Sequence, residues 1–330
     1  MQIRIKRTID KVPGGMMIVP LLCGAAFATF APRAGVFLGS FTNALFTGAL
    51  PILAVFYVCM GARISLRSMP GVLKKGGALV GCKIALGLAA SVLFGRLLGV
   101  EPVRSGWFAG FSTLAVVAAV NDTNGGLYMA MMEQYGKPEE SAAYSVMTLE
   151  SGPFLTMVSL GVAGLSAFPW QTLVGAILPL AVGMLLGNLD KELGEFLTRG
   201  VSMLIPFFAF ALGSTLDLHR VVQAGLLGLL LGTTLVLVSS VCLILANRLT
   251  GGDGTAGIAA ATTAGNAAAV PMLVAVANPK YLSAAGPATL LVASCVIVSS
   301  LLVPPLTAWW HSHVERKVLV AIAVPNLEIE

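Results

Sequence analysis

Apolar runs follow one another along nearly the whole chain, each close to the ~20 residues that a helix needs to cross a hydrocarbon core. Only short polar or Pro/Gly-containing turns separate them. Ten such runs lie at roughly 13–31, 40–62, 76–98, 105–133, 142–165, 169–188, 197–217, 222–247, 255–278 and 286–310. No stretch is left for a soluble domain. Charged residues make up 11% of the 330 positions, against about a quarter in soluble domains. The pattern excludes a soluble monomer and predicts an all-α integral membrane protein. Residues 1–317 are expected to form one membrane domain, and 318–330 a cytoplasmic tail. The formal charge of +5 builds no basic face for nucleic acid, because the cations fall between apolar runs.

Those cations set an orientation. With the N-terminus inside, inner segments hold fourteen Lys and Arg, among them Arg4, Lys11, Arg63, Lys75 and Arg199. Outer loops hold five: Arg33, Arg96, Arg104, Arg220 and Lys280. Cytoplasmic loops are enriched in Lys and Arg, so both termini are expected inside and the span count even. The first run has the basic flank of a secretory signal, but no small-x-small cleavage site follows it, and it reads as a retained span. Ten spans divide five plus five, the arithmetic of an inverted-topology repeat, about 9–165 and about 166–312. Matching punctuation supports the repeat. Pro51 and Gly61 in span two answer Pro206 and Gly213 in span seven. Span four is broken at Asn121-Asp122-Thr123-Asn124-Gly125-Gly126, and span nine at Thr262-Thr263-Ala264-Gly265-Asn266 with Pro271 beyond. Paired interruptions of this kind are the best sequence pointer to a transport site.

The breaks also carry the chemistry. Asp122 lies near the middle of its span, where a fixed charge costs about 2.5–3.5 kcal/mol on insertion scales. An acid that exchanges a proton relieves that cost and couples transport to protons; capping a half-helix is the competing role. Glu150, just before Ser151-Gly152-Pro153, is the second candidate for proton or cation coupling, with a structural pairing to Lys83 or to backbone as its alternative. Asn121, Thr123, Asn124, Thr262, Thr263 and Asn266 offer amides and hydroxyls to a polyhydroxylated ligand, with Asn43, Ser214 and Thr215 weaker candidates. For the threonines, interhelical bonding is the better reading. Gly125 and Gly126 open a second half-helix whose free N–H groups suit a small carboxylate. Lys83 is expected to snorkel toward the inner interface. The five cysteines lie in apolar runs without ligand spacing, and His311-x-His313 is a poor metal signature, so neither metal nor cofactor is expected.

Four stretches carry a family resemblance: Ile9–Met17, Gly39–Asn43, Ala119–Tyr128 and Glu150–Pro153. In these, and along nearly its whole length, the chain resembles the bacterial 2-keto-3-deoxygluconate permeases, departing from their pattern only in the tail after Lys317. The resemblance implies proton-coupled uptake of 2-keto-3-deoxygluconate, a pectin breakdown product, across the inner membrane. That family is similar in turn to the bile-acid:sodium symporters and sodium/proton antiporters. The likeness implies ten helices in a five-plus-five inverted repeat, with discontinuous helices four and nine crossing at residues 121–126 and 265–266. A sodium-coupled carboxylate symporter is the alternative. An intramembrane protease is disfavoured, since no second Asp or His is central to a span, and a passive channel has no use for paired titratable acids.

Overall fold

Proline, glycine and short polar clusters decide where the helices of this protein stop. The computed structural model describes residues 5–9, 15–64, 70–214 and 218–323, and among these every regular element is helical. The main helices are α1 (Gly15–Phe30), α2 (Ser40–Thr47), α3 (Ala49–Gly61), α4 (Pro70–Leu98), α5 (Thr113–Val120), α6 (Gly125–Tyr135) and α7 (Pro153–Val162). They continue with α8 (Trp170–Leu189), α9 (Lys191–Gly213), α10 (Leu218–Leu249), α11 (Thr255–Ala260), α12 (Val270–Ala277) and α13 (Leu282–Ala323).

Among the described residues six segments are long and apolar enough to cross a membrane, or seven if α2 and α3, bent by 67°, count as one span. Length and composition therefore give fewer spans than the ten apolar runs. The missing ones are punctuated. α1 has only 16 residues, with Pro20 inside it. The fourth run is cut between Val120 and Gly125, and the fifth consists of short helical pieces up to Glu150 before α7 begins at Pro153. At the far end, α13 runs to Ala323, so the segment set aside as a tail begins as helix. Residues 324–330 lie outside the described residues, as do Asp10–Gly14 of the opening motif, Thr215 and Asp217.

The helices pack as two groups. α1, α3, α8 and α9 pack on one another; α4, α5, α7 and α10 to α13 form the other group, which also holds α6. The groups meet along a seam where α7 touches α8 and α1 touches α10. Their outer faces are apolar. Leu226, Leu230, Leu237, Val241 and Leu245 are all exposed on α10, and spacings of three to four residues or their multiples keep them on one side of the helix. That is the surface a lipid-facing helix needs.

Within the first group backbones approach closely. A Cβ on Gly61 would fall on the Leu180 carbonyl oxygen, and one on Gly183 on the Val58 carbonyl oxygen. Small residues of this kind let membrane helices touch where side chains would hold them apart. Gly183→Val is therefore expected to force α3 from α8 and to destabilise the protein by about 1–3 kcal/mol, the usual cost of overpacking. The thermal midpoint of the detergent-purified variant checks this; Gly175→Val, at a position open to a side chain, is expected to leave it unchanged.

Candidate functional site

α5 ends at Val120, Asp122–Asn124 follow without helix, and α6 restarts at Gly125. In the second half of the chain, α11 ends at Ala260, and a 3-10 turn over Gly265–Ala269 leads into α12. Each interruption frees backbone groups that hydrocarbon cannot satisfy. Here they satisfy one another. The Ala264 N–H donates to the Asp122 carbonyl at 3.0 Å. The Thr123 hydroxyl donates to the Ala260 carbonyl at 3.3 Å, and the Thr263 hydroxyl to the Ala119 carbonyl at 3.0 Å. The Thr262 Oγ1 accepts from the Asn124 N–H at 3.0 Å. Ser299 on α13 completes the joint, its Oγ accepting from the Thr263 N–H at 3.0 Å. The three threonines thus staple one break to the other.

Three ionisable side chains lie at this joint. Asp122 is 2% exposed; its Oδ2 accepts from the Asn266 amide at 2.6 Å and its Oδ1 from the Ser151 hydroxyl at 3.4 Å. Glu150 is 1% exposed, with Oε1 accepting from the Thr123 N–H at 2.8 Å and Oε2 buried without a partner among the described residues. Lys83 is 2% exposed, and its Nζ donates to the Thr262 carbonyl at 3.1 Å. Both carboxylates are within electrostatic range of its ammonium. Lys83 does not snorkel, because α4 begins at Pro70 and not near residue 76. Thirteen residues of helix put Lys83 ~20 Å from that end, beyond the reach of its side chain.

The other candidates have distinct places. The cap of α6 is Asn124, whose Oδ1 accepts from the Leu127 N–H at 3.2 Å, and not Asp122 or Asn121. Asn121 closes α5 and donates from its amide to the Thr156 hydroxyl of α7 at 3.2 Å. Gly125 lies under the Tyr144 ring, in the space a side chain would fill. Gly126 follows in the first turn of α6. Asn43 is not part of the group: it packs beside Gly35, between α2 and the short turn of helix at Ala34–Leu38. The Ser214 hydroxyl bonds the Phe210 carbonyl of its own helix.

Sequence reasoning did not find Tyr57, on α3, whose side chain is near Asp122 and Asn266; a single hydroxyl in the run Pro51–Gly61 is a faint signal. It also counted Lys75 as a loop charge. Lys75 is buried and pairs at 3.4 Å with Glu140, whose Oε1 also accepts from the Asn247 amide at 3.3 Å. This knot ties α4, the turn after α6 and α10 together away from the joint. Among the described residues no three His, Cys, Asp or Glu side chains cluster as metal ligands.

Apolar helices with lipid-suited faces, two of them interrupted against each other around buried ionisable groups, define a multi-pass membrane protein. The sequence profile of a family described as "2-keto-3-deoxygluconate permease" matches residues 6–316. The chain belongs to the 2-keto-3-deoxygluconate permease family, and it is a transporter, not an enzyme. It is similar to proteins named 2-keto-3-deoxygluconate permease from Escherichia coli O7:K1 and from Escherichia coli K12. Each is 52% identical over 315 residues, covering 95% of this chain and 96% of the relative.

Thr263→Val removes one staple and leaves the Ala119 carbonyl without its hydroxyl partner. It is expected to cost about 1–3 kcal/mol, read as a lowered thermal midpoint of the purified protein. Ser294→Ala, whose hydroxyl bonds the Leu290 carbonyl within its own helix, is expected to leave the midpoint unchanged.

Proposed function

We propose that the protein takes up the 2-keto-3-deoxygluconate anion together with protons across the bacterial inner membrane, by alternating access. The observation that carries this reading is the pair of buried carboxylates, Asp122 and Glu150, at the joint between two interrupted helices. The substrate follows from the names of relatives that are half identical over nearly the full chain. Ten spans in a five-plus-five inverted repeat, with both termini inside, fit the matched breaks and the distribution of Lys and Arg; residues 1–317 then act as one transport domain.

Charge at the joint gives a coupling mechanism. With both carboxylates ionised and Lys83 protonated, the cluster holds one net negative charge and repels a carboxylate substrate. Protonation of Asp122 and Glu150 leaves the ammonium to attract it. In that state the sugar acid binds beside Asp122 and Asn266, with its carboxylate toward the N-terminal end of α6 at Asn124, Gly125 and Gly126, where the helix dipole favours an anion. Rocking of α1, α3, α8 and α9 against the other group then exposes the site to the opposite side, and deprotonation expels the anion inward. Thr123, Thr262, Thr263 and Asn121 hold the geometry in place of the ligand.

Sodium coupling is the second reading, since freed carbonyls and carboxylates at interrupted helices also suit Na⁺. Lys83 weighs against it: its ammonium bonds the Thr262 carbonyl and is within electrostatic range of both acids, so the protein already supplies a cation there. In proteoliposomes, an inward proton gradient is expected to drive labelled substrate uphill with Na⁺ absent. Asp122→Asn and Glu150→Gln are expected to abolish that accumulation while leaving substrate exchange. Full accumulation by both variants, or strict dependence on Na⁺, contradicts the proposal.

A further inference from the structure

Tyr57 is 5% exposed, and its hydroxyl is buried with no hydrogen-bond partner among the described residues. A buried hydroxyl left unpaired is a standing cost, because water would have bonded it in the unfolded chain. The surroundings do not make this an ordinary core tyrosine. The side chain is near Asn266 and the Asp122 carboxylate. Its ring lies over Gly152, where φ is +100° and where a Cβ would stand 3.3 Å from the ring; glycine there both permits the backbone turn and makes room for the ring. The ring also forms part of the wall of a cavity of about 420 Å³, lined besides by Thr172 and by apolar side chains such as Leu53, Pro153, Pro179 and Leu273.

Tyr57 belongs to α3 in the first helix group, whereas Asp122 and Asn266 belong to the second. It therefore brings a hydroxyl from the opposite side of the seam to the acid joint, next to an open volume. We infer that Tyr57 is a substrate-binding residue, its hydroxyl exchanging a hydrogen bond with a hydroxyl of the polyhydroxylated anion held at Asp122 and Asn266. One ligand then bridges both helix groups, and the hydroxyl, which has no well-formed partner among the described residues, gains one when the site is filled. This inference rests on the transport reading above and adds a specificity contact to it.

Tyr57→Phe keeps the ring over Gly152 and removes only the unpaired hydroxyl, so the substrate-free variant is expected to melt no lower than the parent protein. In proteoliposomes its half-saturating concentration of 2-keto-3-deoxygluconate is expected to rise about tenfold, the loss expected for one hydrogen bond, with the maximal rate retained. Among analogues each lacking one hydroxyl, one is expected to be penalised with the parent protein and carry no further penalty in the variant. An unchanged half-saturation with the same ranking of analogues overturns the inference. So does a lowered melting point or failure to fold, which assigns the hydroxyl to structure. If the parent protein itself moves no 2-keto-3-deoxygluconate, the transport reading fails instead, and that result is distinct from any difference between the two proteins.

Discussion

The structure depends on two interrupted helices satisfying each other's backbone. At the middle of a membrane no water is available to bond a freed carbonyl or N–H, and each such group costs several kcal/mol if left alone. The Ala264 N–H on the Asp122 carbonyl and the Thr263 hydroxyl on the Ala119 carbonyl remove that cost reciprocally. Either interruption alone would be unstable; together they make a rigid polar joint. The residues around it are small, with Ala118, Ala119, Ala260 and Ala261 all buried, so nothing bulky keeps the two segments apart.

Once such a joint exists, charge can be held deep in the protein beside it. Buried carboxylates persist only when bonded or paired. Asp122 has Asn266 and Ser151, Glu150 has the Thr123 N–H, and Lys83 is within electrostatic range of both acids. Two acids against one ammonium do not balance, and in the proposed mechanism a proton or the ligand completes the joint. The second buried knot, Lys75 with Glu140 and Asn247, is different in kind: its buried carboxylate has a charged partner and an amide, and the other acid near Lys75, Glu139, is exposed.

Much of this was legible in the sequence, and the parts that were not share a cause. Gly, Pro, Asn and Asp punctuate a helix through local backbone chemistry, so the breaks at 121–126 and 262–266 could be read from their residues. Reach between elements could not. Nothing in the sequence around Lys83 tells that its helix begins at Pro70 or that a carbonyl of residue 262 lies within its range. Asn43 has the same polar character as Asn266, yet it falls in a bent helix beside Gly35. Hydropathy counted ten runs because it averages across an interruption, and the short helices of the fourth and fifth runs are hidden in that average. Tyr57 was missed for a related reason: a lone hydroxyl has meaning only beside the groups that the fold brings to it.

The central claim is that the acid joint gains protons as it takes the anion. Calorimetry of 2-keto-3-deoxygluconate binding to the purified protein, repeated at one pH in buffers of different ionisation enthalpy, tests this directly. Proton uptake predicts a binding enthalpy that changes with the buffer, and loss of that dependence when Asp122 and Glu150 are both replaced by their amides. Equal enthalpies in every buffer, with binding intact, would contradict the account.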